Sequence, residues 1–153
     1  MVIEAPISKR TKFWLLIYAL GLVGFSGWFA YDGFLNESFA EDHTNEEGVA
    51  DFTLRFNQKS PPFFLGGALL MGLRLFVVSK RRIVAEESDL VIHDRVRIPY
   101  DAIQEIDKTH FKTKGVFTVA YDSPDGERLR RKVDSRDYDN MTAILDHLVE
   151  QIS

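Results

Sequence analysis

The sequence contains no cysteine, and this absence excludes disulfide bonds, thiolate nucleophiles and cysteine-ligated metal sites. It also lacks the short motifs that mark common active sites, since no HExxH, GxSxG, P-loop or GxGxxG pattern occurs. Four histidines are scattered along the chain: His43, His93, His110 and His147. We therefore expect no enzymatic activity, no cofactor and no metal site.

A strong excess of one charge sign is also absent. The net charge is −4, which gives no general attraction to nucleic acid, and we expect no nucleic-acid partner. The mean hydropathy of −0.14 is that of a soluble protein, but it averages very polar segments with two long apolar runs. These runs, and not the average, define the segments of the chain.

The first apolar run covers residues 13–30, eighteen residues without a charge. A helix of that length extends about 27 Å, close to the hydrocarbon thickness of a bilayer. Aromatic residues lie near both of its ends, as in transmembrane helices. Trp28 is too large for the small-residue position that signal peptidase requires before a cut after Ala30, so we expect an uncleaved anchor.

The second run covers residues 61–79 and begins with two prolines, which a helix tolerates in its first turn. Its one charge is Arg74, six residues before Lys80. Its side chain either reaches the headgroups on that side or contacts Tyr18 of the first helix.

Small residues give both predicted helices a face for close packing. They are Gly21, Gly24 and Gly27 in the first helix, and Ala68 and Gly72 in the second. Either the two helices pack on each other through these residues, or each packs against a second copy or another membrane protein. Together the two runs predict a membrane-spanning helical hairpin.

The charges beside the two runs predict its orientation. Bases precede the first run (Lys9, Arg10, Lys12) and follow the second (Lys80, Arg81, Arg82), while residues 31–60 contain seven acids and two bases. Basic flanks stay in the cytoplasm. We expect a two-pass protein of the bacterial cytoplasmic (inner) membrane, with a cytoplasmic segment 1–12, an external acidic loop 31–60, a cytoplasmic domain 80–153 and both termini inside.

Residues 80–153 have the pattern of an antiparallel meander, with short alternating runs separated by turn residues. The predicted strands are 82–86, 89–93, 95–98, 103–111, 116–122 and 127–134. A helix capped by Ser135 or Asp137 then runs to about Ile152, because its apolar residues keep a spacing of three and four.

This domain resembles the bacterial pleckstrin-homology-like domains. The resemblance covers about residues 80–153, under half the chain, and is carried by the segment from Ile98 to Ile103, by Ile106-Asp107-Lys108 and by Lys114-Gly115 before a strand. It implies a small α+β domain: an antiparallel, partly open β-barrel or sandwich, capped by a C-terminal amphipathic helix. It implies no catalytic residues and no particular ligand.

The strand 127–134 is the strongest candidate for a binding surface. Arg128, Arg130 and Lys132 alternate with Leu129, Arg131 and Val133, so three bases share one face. Three further bases, Lys108, Lys112 and Lys114, are expected nearby on neighbouring strands. This surface either binds anionic lipid headgroups or only keeps an edge strand from aggregating.

The sequence thus favours a non-catalytic interaction module, which binds a protein partner or a second copy of itself at the inner leaflet. Two alternatives remain open: a sensor of anionic lipid and an accessory subunit of a larger membrane complex.

Overall fold

The computed structural model describes residues 2–152 and divides into two compact units. One unit contains both ends of the chain, up to Lys12 and from Val77 onward. The other unit is Phe13–Phe76.

The Phe13–Phe76 unit is helical. Helix α1 spans Lys9–Phe34, α2 Glu37–Asp42, α3 Phe52–Lys59 and α4 Pro61–Ser79. Two helical segments, Lys9–Phe34 and Phe52–Ser79, are long and apolar enough to cross a membrane. The sequence therefore predicted two apolar helices correctly, although α1 extends beyond residues 13–30 at both ends.

Helix α1 contacts the second apolar segment, Phe52–Ser79, through one face. Its residues there repeat every three or four positions: Leu22, Ser26, Phe29 and Gly33. The Ser26 hydroxyl donates a 3.0 Å hydrogen bond to the Pro61 carbonyl oxygen. The Phe29 ring lies 5.3 Å from the ring of Phe64, measured between centroids. Gly33 allows the closest approach, because a Cβ atom there would lie 2.8 Å from the backbone carbon of Asn57.

The other unit contains two antiparallel sheets. The first has the order β1-β2-β3-β4, with β1 at Ile3–Pro6, β2 at Arg82–Ala85, β3 at Asp89–Ile92 and β4 at Val96–Pro99. The second has the order β5-β6-β7, with β5 at Ile103–Asp107, β6 at Val116–Asp122 and β7 at Arg128–Asp134. The sheets do not join into a closed barrel.

Strand β1 was not predicted from the sequence. It pairs with β2 in the register Ile3↔Ala85 to Pro6↔Arg82, and Ala5 is fully buried in the core. The strand has only four residues and ends in a proline, so the sequence shows too little alternation of apolar and polar residues to predict a strand there. Because β1 precedes α1 and β2 follows α4, the helical unit is inserted between two neighbouring strands of one sheet.

Two further boundaries differ from the prediction. The predicted strand 103–111 ends at Asp107, because its carboxylate accepts the backbone N–H of Thr109 and turns the chain. A short helix, α5 (Phe111–Lys114), follows and ends at Gly115 in the left-handed conformation, with φ of 67°. A side chain is strained at that φ, so Gly115 is the residue that permits the turn.

The C-terminal helix α6 spans Met141–Ile152 and begins later than Ser135 or Asp137, the predicted caps. Those two residues lie instead in a single 3-10 turn. The reason is Tyr138, which is extended because it forms a β-bridge with Ile7. The predicted apolar spacing is confirmed within α6, where Met141, Ile144, Leu145 and Leu148 are buried in the core, but not for Tyr138, which precedes the helix.

We predict that Gly33→Ala destabilises the helical unit, because the added methyl group meets the Asn57 backbone, which cannot rotate away. The expected loss is roughly 1–3 kcal/mol of unfolding free energy, the usual cost of overpacking. The change in unfolding free energy is measured by titrating the full-length protein with SDS in mixed micelles and monitoring unfolding by tryptophan fluorescence.

Gly24→Ala is the matched control, because nothing lies within 4 Å of the added atom. Its effect should stay within about 0.5 kcal/mol. Equal losses in the two variants would mean that Gly33 is not at a helix contact.

Candidate functional site

The basic surface predicted on residues 127–134 lies on β7, at the edge of the second sheet. Arg128, Arg130 and Lys132 pair in register with Asp122, Ala120 and Thr118 of β6. The three bases therefore share the outer face of the sheet. Among the described residues, no strand pairs with the other edge of β7.

Strand β5 adds acids to the same outer face. Glu105 and Asp107 lie opposite Ala120 and Thr118, so small side chains on β6 separate a row of acids from the row of bases. The guanidinium of Arg128 lies 3.7 Å from the Glu105 carboxylate, and both side chains are exposed. An exposed pair at this distance contributes little stability, but it reduces the positive potential of the face.

The other three predicted bases do not lie on strands. Lys108 follows the end of β5, while Lys112 and Lys114 are in α5. Of the three, Lys114 reaches the outer face, where it lines a shallow groove of about 150 Å³ with Asp107, His110, Thr118 and Lys132. Lys108 and Lys112 are exposed outside this groove.

The glycines predicted for close packing do not lie between the two long helices. A Cβ atom on Gly21, Gly24, Gly27 or Gly72 would have no atom within 4 Å. Ala68 is buried within the helical unit, whereas Arg74 is exposed. Tyr18 lies against Trp14, with ring centroids 6.0 Å apart.

A larger groove, of about 460 Å³, lies on the outer face of the first sheet and was not anticipated. Val84 and Val91 form its floor. Arg97 bridges Glu86 and Asp89 at 2.7 and 2.9 Å, while Arg82 contacts Glu4 and Asp94 at 3.5 and 3.4 Å. These residues come from all four strands of the sheet and from the two turns that join β2, β3 and β4, and no local sequence pattern links them. Because the charges pair with one another, the groove presents little free charge of either sign.

His93 occupies the turn between β3 and β4. His93 and Asp94 both have φ of 56°, and the Arg95 N–H donates to the Ile92 carbonyl, which is a type I′ turn. The His93 imidazole is hydrogen-bonded to the Tyr138 hydroxyl and stacked on its ring. Burial, and then the charges of Arg81 and Arg95, lower the pKa of His93 below its usual 6.5.

His147 lies on α6. Its Nε2 atom is buried without a hydrogen-bond partner among the described residues. Its ring contacts Tyr100 edge to face, at 6.0 Å. The buried Tyr100 hydroxyl donates a 2.6 Å bond to the Glu86 carbonyl oxygen, and burial raises its pKa to about 12. The segment from Ile98 to Ile103, which carried the family resemblance, thus has a structural role here.

No family model, curated protein or solved structure matches the chain. Within residues 2–152, no group of three or more His, Asp or Glu side chains is arranged to hold a metal ion.

We predict that lowering the pH from 7.5 to 5 reduces the stability of the domain through His93. Because the folded state lowers its pKa, the neutral imidazole stabilises the fold above pH 6.5, and this contribution is lost as the pH falls through the folded-state pKa. The groups that face it are Arg81, Arg95 and Arg131, which oppose protonation, Asp94, which favours it, and the Tyr138 hydroxyl.

The test compares thermal unfolding of the wild type and His93→Asn across this pH range. Asparagine tolerates the left-handed turn and does not titrate. The variant should lose less stability than the wild type on acidification, and parallel pH profiles would contradict the prediction.

Proposed function

We propose that this protein is a non-catalytic interaction module of the bacterial inner membrane, in which an apolar helical hairpin holds a pleckstrin-homology-like domain at the cytoplasmic face. The observation that carries the proposal is the insertion of the hairpin between β1 and β2. The domain is therefore attached through two connections, and not through a single flexible tail.

Both connections are short. Two residues separate β1 from α1, and two separate α4 from β2. Because Pro6 pairs with Arg82, the chain must leave the domain and return to it at the same sheet end. Two membrane-spanning helices joined in this way place both basic flanks on one side of the bilayer, and basic flanks favour the cytoplasm.

The absence of cysteine makes this topology directly testable. Asp42→Cys introduces a single thiol into the acidic loop, and Asp125→Cys introduces one into the exposed β6–β7 turn. A membrane-impermeant maleimide should label the Asp42→Cys variant in intact bacteria whose outer membrane is permeable. The Asp125→Cys variant should react only after the inner membrane is opened. The reverse pattern would place the domain outside, and labelling of both would contradict two spanning helices.

The edge of β7 is the surface that we assign to a protein partner. Residues 128–132 are all exposed, and four of the five are basic: Arg128, Arg130, Arg131 and Lys132. The unpaired backbone groups of an edge strand can bind an extended segment as an additional strand. Like charges disfavour pairing with the same edge of a second copy, so the occupant is an acidic segment of another protein.

The first alternative is an anionic-lipid sensor using Arg128, Arg130 and Lys132. Glu105, Asp107 and Asp122 share the outer face with these bases, so the surface offers less attraction to a flat anionic membrane than the bases alone would. A peptide is therefore favoured over a membrane surface as the ligand, because a peptide can contact the three bases without approaching the acids.

A second candidate function is that of an accessory subunit of a membrane complex. It is favoured by the open glycines of α1, Gly21, Gly24 and Gly27, which leave room for close approach of another helix.

Site-specific photo-crosslinking in native membranes tests the proposed partner. A photoreactive residue at Leu129, on β7, should crosslink to an acidic segment of one protein, whereas the same residue at the exposed Glu150, on α6, should not. The double variant Arg128→Glu/Arg130→Glu should reduce the product by roughly tenfold or more, because two attractive charges become repulsive.

Lys112→Glu is the control, since it reverses an equally exposed base outside β7. It should leave the product unchanged. Crosslinks to lipid alone would favour the lipid sensor. A protein product that survives the double reversal would contradict the assignment of this edge.

A further inference from the structure

The groove of about 150 Å³ on the outer face of the second sheet brings together side chains from three elements. Val116 and Thr118, two residues apart on β6, form its floor. Lys132 enters from β7, where it pairs in register with Thr118. Lys114, the last residue of α5, and His110, the residue before α5, enter from the connection between β5 and β6.

Backbone hydrogen bonds and core packing hold this connection in place. The Lys114 N–H donates a 2.8 Å hydrogen bond to the His110 carbonyl, so the two residues lie one helical turn apart. Between them, the Phe111 ring packs edge to face on the buried ring of Phe117, with centroids 5.9 Å apart. The fold therefore fixes the backbone positions from which His110 and Lys114 reach the groove.

Four groups in the groove can donate hydrogen bonds: the ammonium groups of Lys114 and Lys132, the imidazole of His110 and the hydroxyl of Thr118. Within residues 2–152, neither lysine forms an ion pair and the Thr118 hydroxyl has no hydrogen-bond partner. Arg130 also lacks an ion pair there, but it lines a smaller recess of about 60 Å³ beside the Glu105 carboxylate. The groove is therefore the place where several unused donors meet.

The arrangement of these donors favours a small tetrahedral anion. They come from the floor of the groove, from α5 and from β7, whereas the two oxygens of a carboxylate lie in one plane. A tetrahedral anion has oxygens in four directions and can accept from all three sides. The volume of the groove is below the roughly 300–1,000 Å³ of pockets that enclose a drug-sized ligand, so the ligand is a small ion.

Asp107 is the one acid in the groove and determines which tetrahedral anion fits. Its carboxylate accepts the Thr109 N–H at 3.0 Å, and hydrogen bonds from the side chain and backbone of Thr109 lower its pKa below the usual value. Asp107 is therefore ionised at neutral pH and repels an anion that has no proton. Because a carboxylate has about four acceptor positions, Asp107 can still accept an O–H from a ligand.

Inorganic phosphate keeps an O–H group at neutral pH. Sulfate and the phosphodiester of a lipid headgroup have none, and a phosphomonoester loses most of its second proton, whose pKa is about 6. We propose that this groove binds inorganic phosphate, with Lys114, Lys132, His110 and Thr118 donating to its oxygens and Asp107 accepting its O–H. The site goes beyond the partner assigned to the β7 edge, because it uses the Lys132 side chain but none of the backbone groups that would bind a strand.

The test follows the His110 imidazole by NMR in the full-length, histidine-labelled protein in zwitterionic micelles, with His110→Asn providing the assignment. Phosphate, added at constant pH and ionic strength against chloride, should shift the His110 signals saturably. Thr118→Val and Lys114→Gln should each weaken the affinity about fivefold, the usual effect of losing one hydrogen bond. Valine suits a strand as well as threonine does, so the first variant removes the hydroxyl without disturbing β6.

Lys112→Gln is the matched control, because it removes an equally exposed charge of α5 that lies outside the groove. It should change the affinity less than about twofold. Equal losses for Lys112→Gln and Lys114→Gln, or no saturable shift with phosphate, would overturn the proposal. Crosslinking at Leu129 tests the β7 edge separately, so failure of one assignment is distinguishable from failure of the other.

Sulfate tests the role of Asp107. The wild type should bind sulfate at least about fivefold more weakly than phosphate, and Asp107→Asn should reduce this ratio because an amide does not repel sulfate. Asparagine can still accept the Thr109 N–H and keep the turn. A second arm uses nanodiscs of phosphatidylcholine with or without phosphatidylglycerol. Equal affinities for phosphate and sulfate, or a His110 shift caused by phosphatidylglycerol without added phosphate, would overturn the assignment to inorganic phosphate.

Discussion

The pairing of β1 with β2 is the interaction on which the rest of the structure depends. It joins the first residues of the chain to residues 82–85. It buries Ala5 beneath α6 and aligns Ile7 with Tyr138, which delays the start of α6. The His93 turn and the two short connections to the long helices lie at the end of this strand pair.

The two units differ in where their large apolar side chains lie. In the domain, apolar side chains of both sheets and of α6 form one buried core. In the helical unit most large apolar side chains are exposed, which agrees with our proposal that these helices span a bilayer. Close contact between the helices occurs there at a few positions such as Gly33 and Ser26.

Periodicity and composition were enough to predict the two apolar helices, six of the seven strands and the buried stripe of α6. They failed where long-range pairing decides the local structure. Strand β1 depends on a partner more than seventy residues away, and Tyr138 is extended because of Ile7. The sequence showed the alternation of bases along β7, but the acids on the same face belong to β5, a separate segment, so only the folded register reveals them.

The inserted hairpin also sets an order of events during synthesis. Strand β1 leaves the ribosome before its partner β2, which is made only after both long helices and the loop between them. The first sheet therefore cannot be completed until the 13–76 segment has been synthesised, and its closure must bring the two helix ends together. In a chain whose helices span the bilayer, a hairpin that failed to insert with both ends on one side would leave β2 without β1. The first sheet of the domain would then form completely only in chains whose hairpin had inserted correctly.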